Sequence, residues 1–224
     1  MRNGFVLLVV ITLLLLLLPK PVNSVQCQNS IDYGTMPEAE QDIFDSILFA
    51  MANEQAVVQC DDTVNHDRIK THLGMYYGTL KGVGRLYTVV NGNIHLNLKV
   101  FIEYEQNRLV VSETVDEVLS HIKEGSDRSM LRQIARYIAD NYSYSNDFVC
   151  ADYAILFYKI ASRLGIESYL CFGYAGKELH VWNYAGGRYW DVTHFDSTGQ
   201  RKWLGSKTAW ERLYVCNDAW SITN

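Results

Sequence analysis

The sequence predicts an α+β chain: a buried central helix packed on an antiparallel sheet, preceded by a smaller helix and hairpin region. Three observations predict it. Apolar residues cover most of the circumference of DFVCADYAILFYKIASRLG, from Asp147 to Gly165, which is the pattern of a buried helix. Beyond Gly165 the pattern changes to strand segments separated by glycine turns. Before residue 112, helical and hairpin patterns alternate.

In chain order, Pro37 to Asn53 places Ile43, Phe44, Ile47, Leu48 and Met51 on one face with acidic residues in its first turn, an amphipathic helix. A short strand near Ala56–Cys60 follows. Asp61 and Asp62 are placed to cap a second helix in which His66, Ile69, Leu73 and Tyr76 share a face. Gly82–Val90 and Ile94–Tyr104 read as a hairpin about Asn91-Gly92-Asn93, with His95 on its polar face. A turn at Glu105–Arg108, a strand at Leu109–Ser112 and a helix from Val115 to Lys123 are expected next, then a helix from Asp127 to Asn141. In the central helix Asp147 is the expected N-cap and Gly165 the stop, while Asp152, Lys159 and Arg163 form one narrow polar stripe. Strands follow at Ser168–Gly176, Glu178–Tyr184, Arg188–Thr193 and Leu213–Asp218.

The chain opens with Arg2, an apolar run of 14 residues from Phe5 to Leu18, and Pro19-Lys20-Pro21 before the small residues around Ser24. The run is shorter than the roughly 20 residues of a spanning helix, so residues 1–24 are expected to be a cleaved signal peptide, with an uncleaved anchor as the alternative. Loss of Arg2 and Lys20 takes the net charge from −5 to −7. An acidic chain without basic runs is a poor candidate for binding nucleic acid or anionic membranes. Residues 25–112 form an N-terminal region to which no role is assigned, and 113–224 the second unit.

Five cysteines in an exported chain leave one over when the rest pair. Cys150 is the natural odd one; Cys27 with Cys60 and Cys171 with Cys216 are the expected pairs, and five reduced thiols the alternative. A thiol in the first turn of a helix meets unpaired N–H groups and the positive end of the dipole, which favour the thiolate. The bland alternative is a small apolar residue in a core helix.

His180 and Asp191 lie on two arms of one hairpin around Gly186-Gly187. Paired positions summing to 371 put them face to face, and a sum of 373 makes them diagonal neighbours on one face. The glycine turn favours 373; a close His–Asp contact favours 371, the register preferred on chemical grounds. Cysteine, histidine and aspartate would then act as nucleophile, base and orienter, with N–H groups at the helix start forming an oxyanion site. Trp182 and Tyr184 share the face of His180 and are candidates for lining a pocket, as is Tyr144, although aromatic strand residues are more often core. His194 is expected at the rim, and Asp152 and Asp196 in solvent. No His or Cys pair has metal-ligand spacing, His66 and His72 are expected at solvent-facing or half-buried helix positions, and no cofactor is expected.

C-A-D-Y-A from Cys150, A-S-R-L-G-I from Ala161, G-Y-A-G from Gly173, H-V-W-N from His180 and R-Y-W-D-V-T from Arg188 resemble the transglutaminase-like superfamily in its bacterial secreted form, over about residues 127–218. The resemblance implies a papain-like core with Cys150, His180 and Asp191 as its triad. Phe148 stands where the motif often has glycine, and Val192 where it often has proline. The expected function is an exported cysteine enzyme that forms a thioester with a protein or peptide carboxamide and resolves it with an amine or with water. A binding module at the cell surface or envelope that keeps the fold without catalysis is the alternative. No acidic loop with EF-hand spacing implies calcium.

Overall fold

The computed structural model describes residues 25–26, 32–34, 36–60, 63–146, 148–175, 178–206 and 214–220, with the backbone alone at 25–26, 32–34, 174–175, 206 and 214–220. The expectations for the signal segment, Cys27, Asp61, Asp62 and Asp147 lie outside these residues. The order is β1 (Val25–Gln26), β2 (Asp32–Gly34), α1 (Glu38–Ala52), β3 (Val57–Gln59), α2 (His66–Tyr77), β4 (Tyr87–Val90), β5 (Asn93–Leu96), α3 (Leu98–His121), α4 (Asp127–Asn141), α5 (Cys150–Arg163), β6 (Ser168–Ala175), β7 (Glu178–Ala185), β8 (Arg188–Trp190), α6 (Val192–Thr198), β9 (Leu204–Ser206) and β10 (Tyr214–Trp220). The chain is α+β. One sheet has the order β1-β2-β10-β6-β7-β8-β9, antiparallel except where β2 lies beside β10, and a second has the order β3-β5-β4. Among the described residues no helix is long and apolar enough to cross a membrane.

In the N-terminal part, Phe44, Ile47, Ile69, Leu73, Tyr87, Ile94 and Phe101 close one core. Helix α2 is capped by Asn65, whose side chain accepts from the N–H groups of Asp67 and Arg68, both at 3.1 Å. His72, expected at or near the surface, is 1 % exposed, and burial first of all takes its pKa down to about 4. The expected hairpin is cut short. Alternation holds through Ile94, His95 and Leu96, but the side chain of Asn97 then accepts from Val100 N–H and a 24-residue helix replaces the second half of the arm, the turn, the strand at Leu109 and the separate helix at Val115. Beyond Leu96 burial follows the helical period, with Val100, Phe101 and Tyr104 inside and Ile102 59 % exposed. Apolar alternation from Leu98 to Tyr104 fits a strand as well as a helix, and the Asn97 cap selects the helix.

Helix α3 joins the two parts. Its first turns sit in the N-terminal core, while Val115 and Val118 sit in a second core with Leu131, Ile134, Phe157, Ile160 and Trp190. Helix α5 is the centre of that second core, and its beginning and end have local causes. Val149 is extended and its N–H donates to the Asp152 carboxylate at 2.9 Å, so the first turn opens on an acidic group facing the dipole. At the other end Gly165 takes φ 72°; its N–H bonds Ser162 O at 2.9 Å and that of Ile166 bonds Ala161 O at 3.0 Å, the paired bonds of a Schellman stop. On the sheet side, buried Asn183 of β7 donates to Ala154 O at 2.9 Å and Phe157 stacks on Trp190 at 5.8 Å. The polar stripe is taken up by neighbouring elements. Lys159 donates to Tyr76 O at 3.0 Å, with burial, and then Arg108, lowering its pKa to about 8, and Arg163 pairs with Asp116 at 3.1 Å.

Phe157 is fully buried between helix and sheet. Phe157→Ala is expected to cost about 3–5 kcal/mol in urea unfolding; a loss below about 1 kcal/mol would mean that α5 is not the centre of this core.

Candidate active site

Strands β7 and β8 pair Asn183 with Trp190, Tyr184 with Tyr189 and Ala185 with Arg188, so paired positions sum to 373 and the register preferred on chemical grounds is corrected. The two-residue turn decided it: Gly186 and Gly187 take φ 54° and 72°, a tight hairpin that leaves no room for another register. His180 and Asp191 are diagonal neighbours, and the contact is made by a device that register alone does not show. Strand β8 stops at Trp190, not Thr193, and Asp191 becomes the N-cap of α6.

As N-cap, Asp191 accepts His194 N–H on Oδ1 at 2.9 Å. Its Oδ2 lies 2.7 Å from His180 Nε2 and 2.8 Å from His194 Nδ1. The carboxylate is 1 % exposed. Burial opposes its charge, yet the hydrogen bonds from His180 and His194 outweigh burial and hold its pKa at about 2. Burial likewise opposes the charge on His180, but its hydrogen bonds with Asp191 and Cys150 prevail and raise its pKa to about 9. Nε2 is the ring nitrogen that meets Asp191. Cys150 is a half-buried free thiol at the first position of α5. The β7–β8–α6 corner thus joins His180, Asp191 and His194 by hydrogen bonds, and Cys150 at the start of α5 is among the groups that raise the pKa of His180.

His194, expected at the rim, is a partner of Asp191. Its ring is edge-on to His180 at 5.0 Å and lies 4.9 Å from Trp203. The sequence signal for it is the D-x-x-H spacing of an N-cap and the third helical residue, hidden by reading Asp191 as mid-strand. Ligand atoms of His180, Asp191 and His194 lie within 4.8 Å of one another, a cluster that linear spacing does not reveal. Two of its separations are hydrogen-bond lengths, whereas a tetrahedral ion with bonds of about 2.0–2.1 Å holds its ligands about 3.3 Å apart. The corner is built to share protons; a metal would have to prise Asp191 from both rings.

Trp182 is buried behind the site, stacked on His180 at 5.9 Å. Tyr184 packs between Tyr169 and Tyr189, and Tyr144 is 57 % exposed before the cysteine. Phe148 stacks on Tyr142 at 4.7 Å and meets Tyr153 at 4.6 Å, anchoring the approach to Cys150. Val192 opens α6, the helical position at which proline is also favoured. Asp152 caps α5 and Asp196 accepts from Tyr153 Oη at 2.6 Å, so neither is the solvent group expected. A cavity of about 420 Å³ is lined by Phe148, Asp152 and Leu156 together with Lys81, Arg85 and Tyr142. Asp152 and Leu156 lie about 200° and 240° around α5 from Cys150, and Cys150 does not line the cavity. Cys171 lies opposite Ala219 and Cys216 opposite Gly173, so the two are not directly paired positions; Cys60 Sγ is 4.0 Å from His66 Nε2.

No protein-family model matches the chain, and no curated protein matches it in sequence.

The two shifts oppose each other in pH. His180 titrates at about 9 against an ordinary 6.5, so its contribution to stability is complete below pH 6.5 and is lost as pH rises through about 9. Asp191 titrates at about 2 against 3.8, so its contribution is complete above pH 3.8 and is lost as pH falls through about 2. An NMR titration is expected to find the His180 midpoint well above that of a free imidazole, and to find it lower in Asp191→Asn. Equal midpoints in the two proteins would rule out the carboxylate as the cause.

Proposed function

We propose that this chain is an exported cysteine enzyme of transglutaminase-like type, acting on protein or peptide carboxamides through a thioester. The observation that carries the reading is the imidazole of His180 held by the buried Asp191 carboxylate, with the helix-start thiol of Cys150 among the groups that raise its pKa. The motifs around Cys150, His180 and Asp191 support it independently, because the aromatic and glycine residues flanking them also fit the superfamily.

In the first step the Cys150 sulfur attacks the carboxamide carbon while its proton rests on His180, and the oxygen takes up negative charge. Backbone N–H groups at the start of α5 are placed for that charge. The C–N bond then breaks, the proton on His180 goes to the leaving nitrogen, and a thioester remains. An amine or a water molecule attacks the thioester, gives its proton to His180, and the C–S bond breaks to restore Cys150. Asp191 keeps Nε2–H oriented throughout, and His194 holds the second lone-pair direction of the same oxygen.

The experiment pairs a glutamine-containing peptide with a labelled primary amine, reading both amine incorporation and release of ammonia. Cys150→Ala is expected to abolish both products and His180→Ala to lower turnover by about 100-fold or more. Alkylation by iodoacetamide at mildly acidic pH is expected to select Cys150, and His180→Ala to remove that preference. Turnover that survives Cys150→Ala would sink the proposal; equal labelling of all thiols in the unmodified protein would favour the non-catalytic binding module.

A further inference from the structure

The chain carries net charge −5 and has no basic run, yet the fold assembles a basic surface. Arg128, Arg132 and Arg136 recur every four residues on α4, and all three are exposed. This spacing makes a stripe about 12 Å long. Helix α4 packs against β9 and α6. The β7–β8 turn lies beside its first turns, since a Cβ on Gly186 would stand 3.1 Å from Leu131. That packing brings Arg188 of β8 and Arg201, with Lys202 next to it, alongside the stripe; Arg188 donates to Gly205 O at 2.8 Å. The charges act on one another: slight burial and then Arg128, Arg136, Arg188 and Arg201 lower the pKa of Arg132. Asp127 and Asp140 are the carboxylates on the same helix, and none of the five arginines makes an ion pair with them or with any other of the described residues.

We propose that Arg128, Arg132 and Arg136, flanked by Arg188, Arg201 and Lys202, form a docking surface for an acidic polypeptide segment. Five like charges held together without ion-pair partners among the described residues cost stability, and an anionic partner removes that cost. Guanidinium forks suit carboxylates bidentately. The stripe repeats about every 6 Å, close to the roughly 6.8 Å between side chains on one face of an extended peptide. A membrane surface fits less well, because none of the exposed large hydrophobic side chains among the described residues lies on α4, β8 or the Arg201–Trp203 turn. Helix α4 begins beside the β7–β8 turn and is followed by the segment that leads into Cys150, so a polypeptide docked on the stripe is assigned as the substrate. Only this last assignment, of the docked chain as substrate, rests on the proposed catalytic function.

The test uses the full chain carrying Cys150→Ser, so that its outcome is separate from catalysis, and a fluorescein-labelled decaglutamate peptide read by anisotropy. Saturable binding that weakens with added salt is expected, with the dissociation constant raised at least tenfold in Arg128→Ala/Arg132→Ala/Arg136→Ala and unchanged in Arg163→Ala, whose arginine already pairs with Asp116. Decaglutamate is further expected to protect the three arginines from phenylglyoxal in the chain with its arginines intact, a readout that does not depend on the variants folding. No binding at low ionic strength, equal binding by the triple variant, or binding of inorganic polyphosphate or phosphatidylglycerol vesicles without binding of decaglutamate would each overturn the proposal.

Discussion

The Asp191 carboxylate is the interaction on which the rest of the site depends. Isolated, a buried ion of this kind costs several kcal/mol; here three N–H groups, from His180, His194 and the backbone of His194, converge on its two oxygens. The same residue ends β8 and starts α6, and its own N–H donates to Trp203 O at 2.9 Å. One residue thus sets the polarity of His180 and the direction of α6 through its side chain, and the approach of the Trp203 turn through its backbone. Its charge and its position are one constraint, because any movement that loosens the cap also loosens the imidazole.

That geometry depends in turn on a two-residue turn. Gly186 and Gly187 fix the hairpin register at the sum that makes His180 and Asp191 diagonal. Directly opposed strand residues hold their Cβ atoms about 4.5–5.5 Å apart with side chains parallel, which suits packing better than a 2.7 Å bond. By leaving the strand at Asp191, the backbone turns the carboxylate across the face of the sheet towards β7. The diagonal register and the N-cap are therefore one solution, and His194 is drawn onto the same oxygen as its by-product.

Helix α5 supplies the other half of the corner through burial. Its apolar circumference is enclosed by the sheet on one side and by α3 and α4 on the other, so Cys150 is presented by a helix with little freedom to shift. Electrostatics is organised on a larger scale as well. The acidic surplus is dispersed over the chain, while the arginines of α4, β8 and the Arg201 turn are gathered, which is why net charge alone is a poor guide to what this surface meets.

Short-range periodicity and punctuation carried much of the secondary structure. The span of α4, the burial of α5 and the strands β6 and β7 were all legible, because each rests on side chains within a few turns or one hairpin of each other. The sequence misled where a local pattern was compatible with two periods, as from Leu98 to Tyr104, until Asn97 capped a helix; and where Asp191 fitted both a strand and a cap. Packing alone settled that His180 meets the Asp191 carboxylate that His194 also holds, that Lys159 and Arg163 are taken up by Tyr76 and Asp116, and that arginines of three elements act on Arg132. These are through-space relations between backbone segments, set by register and packing, and no spacing along the chain encodes the distance between them.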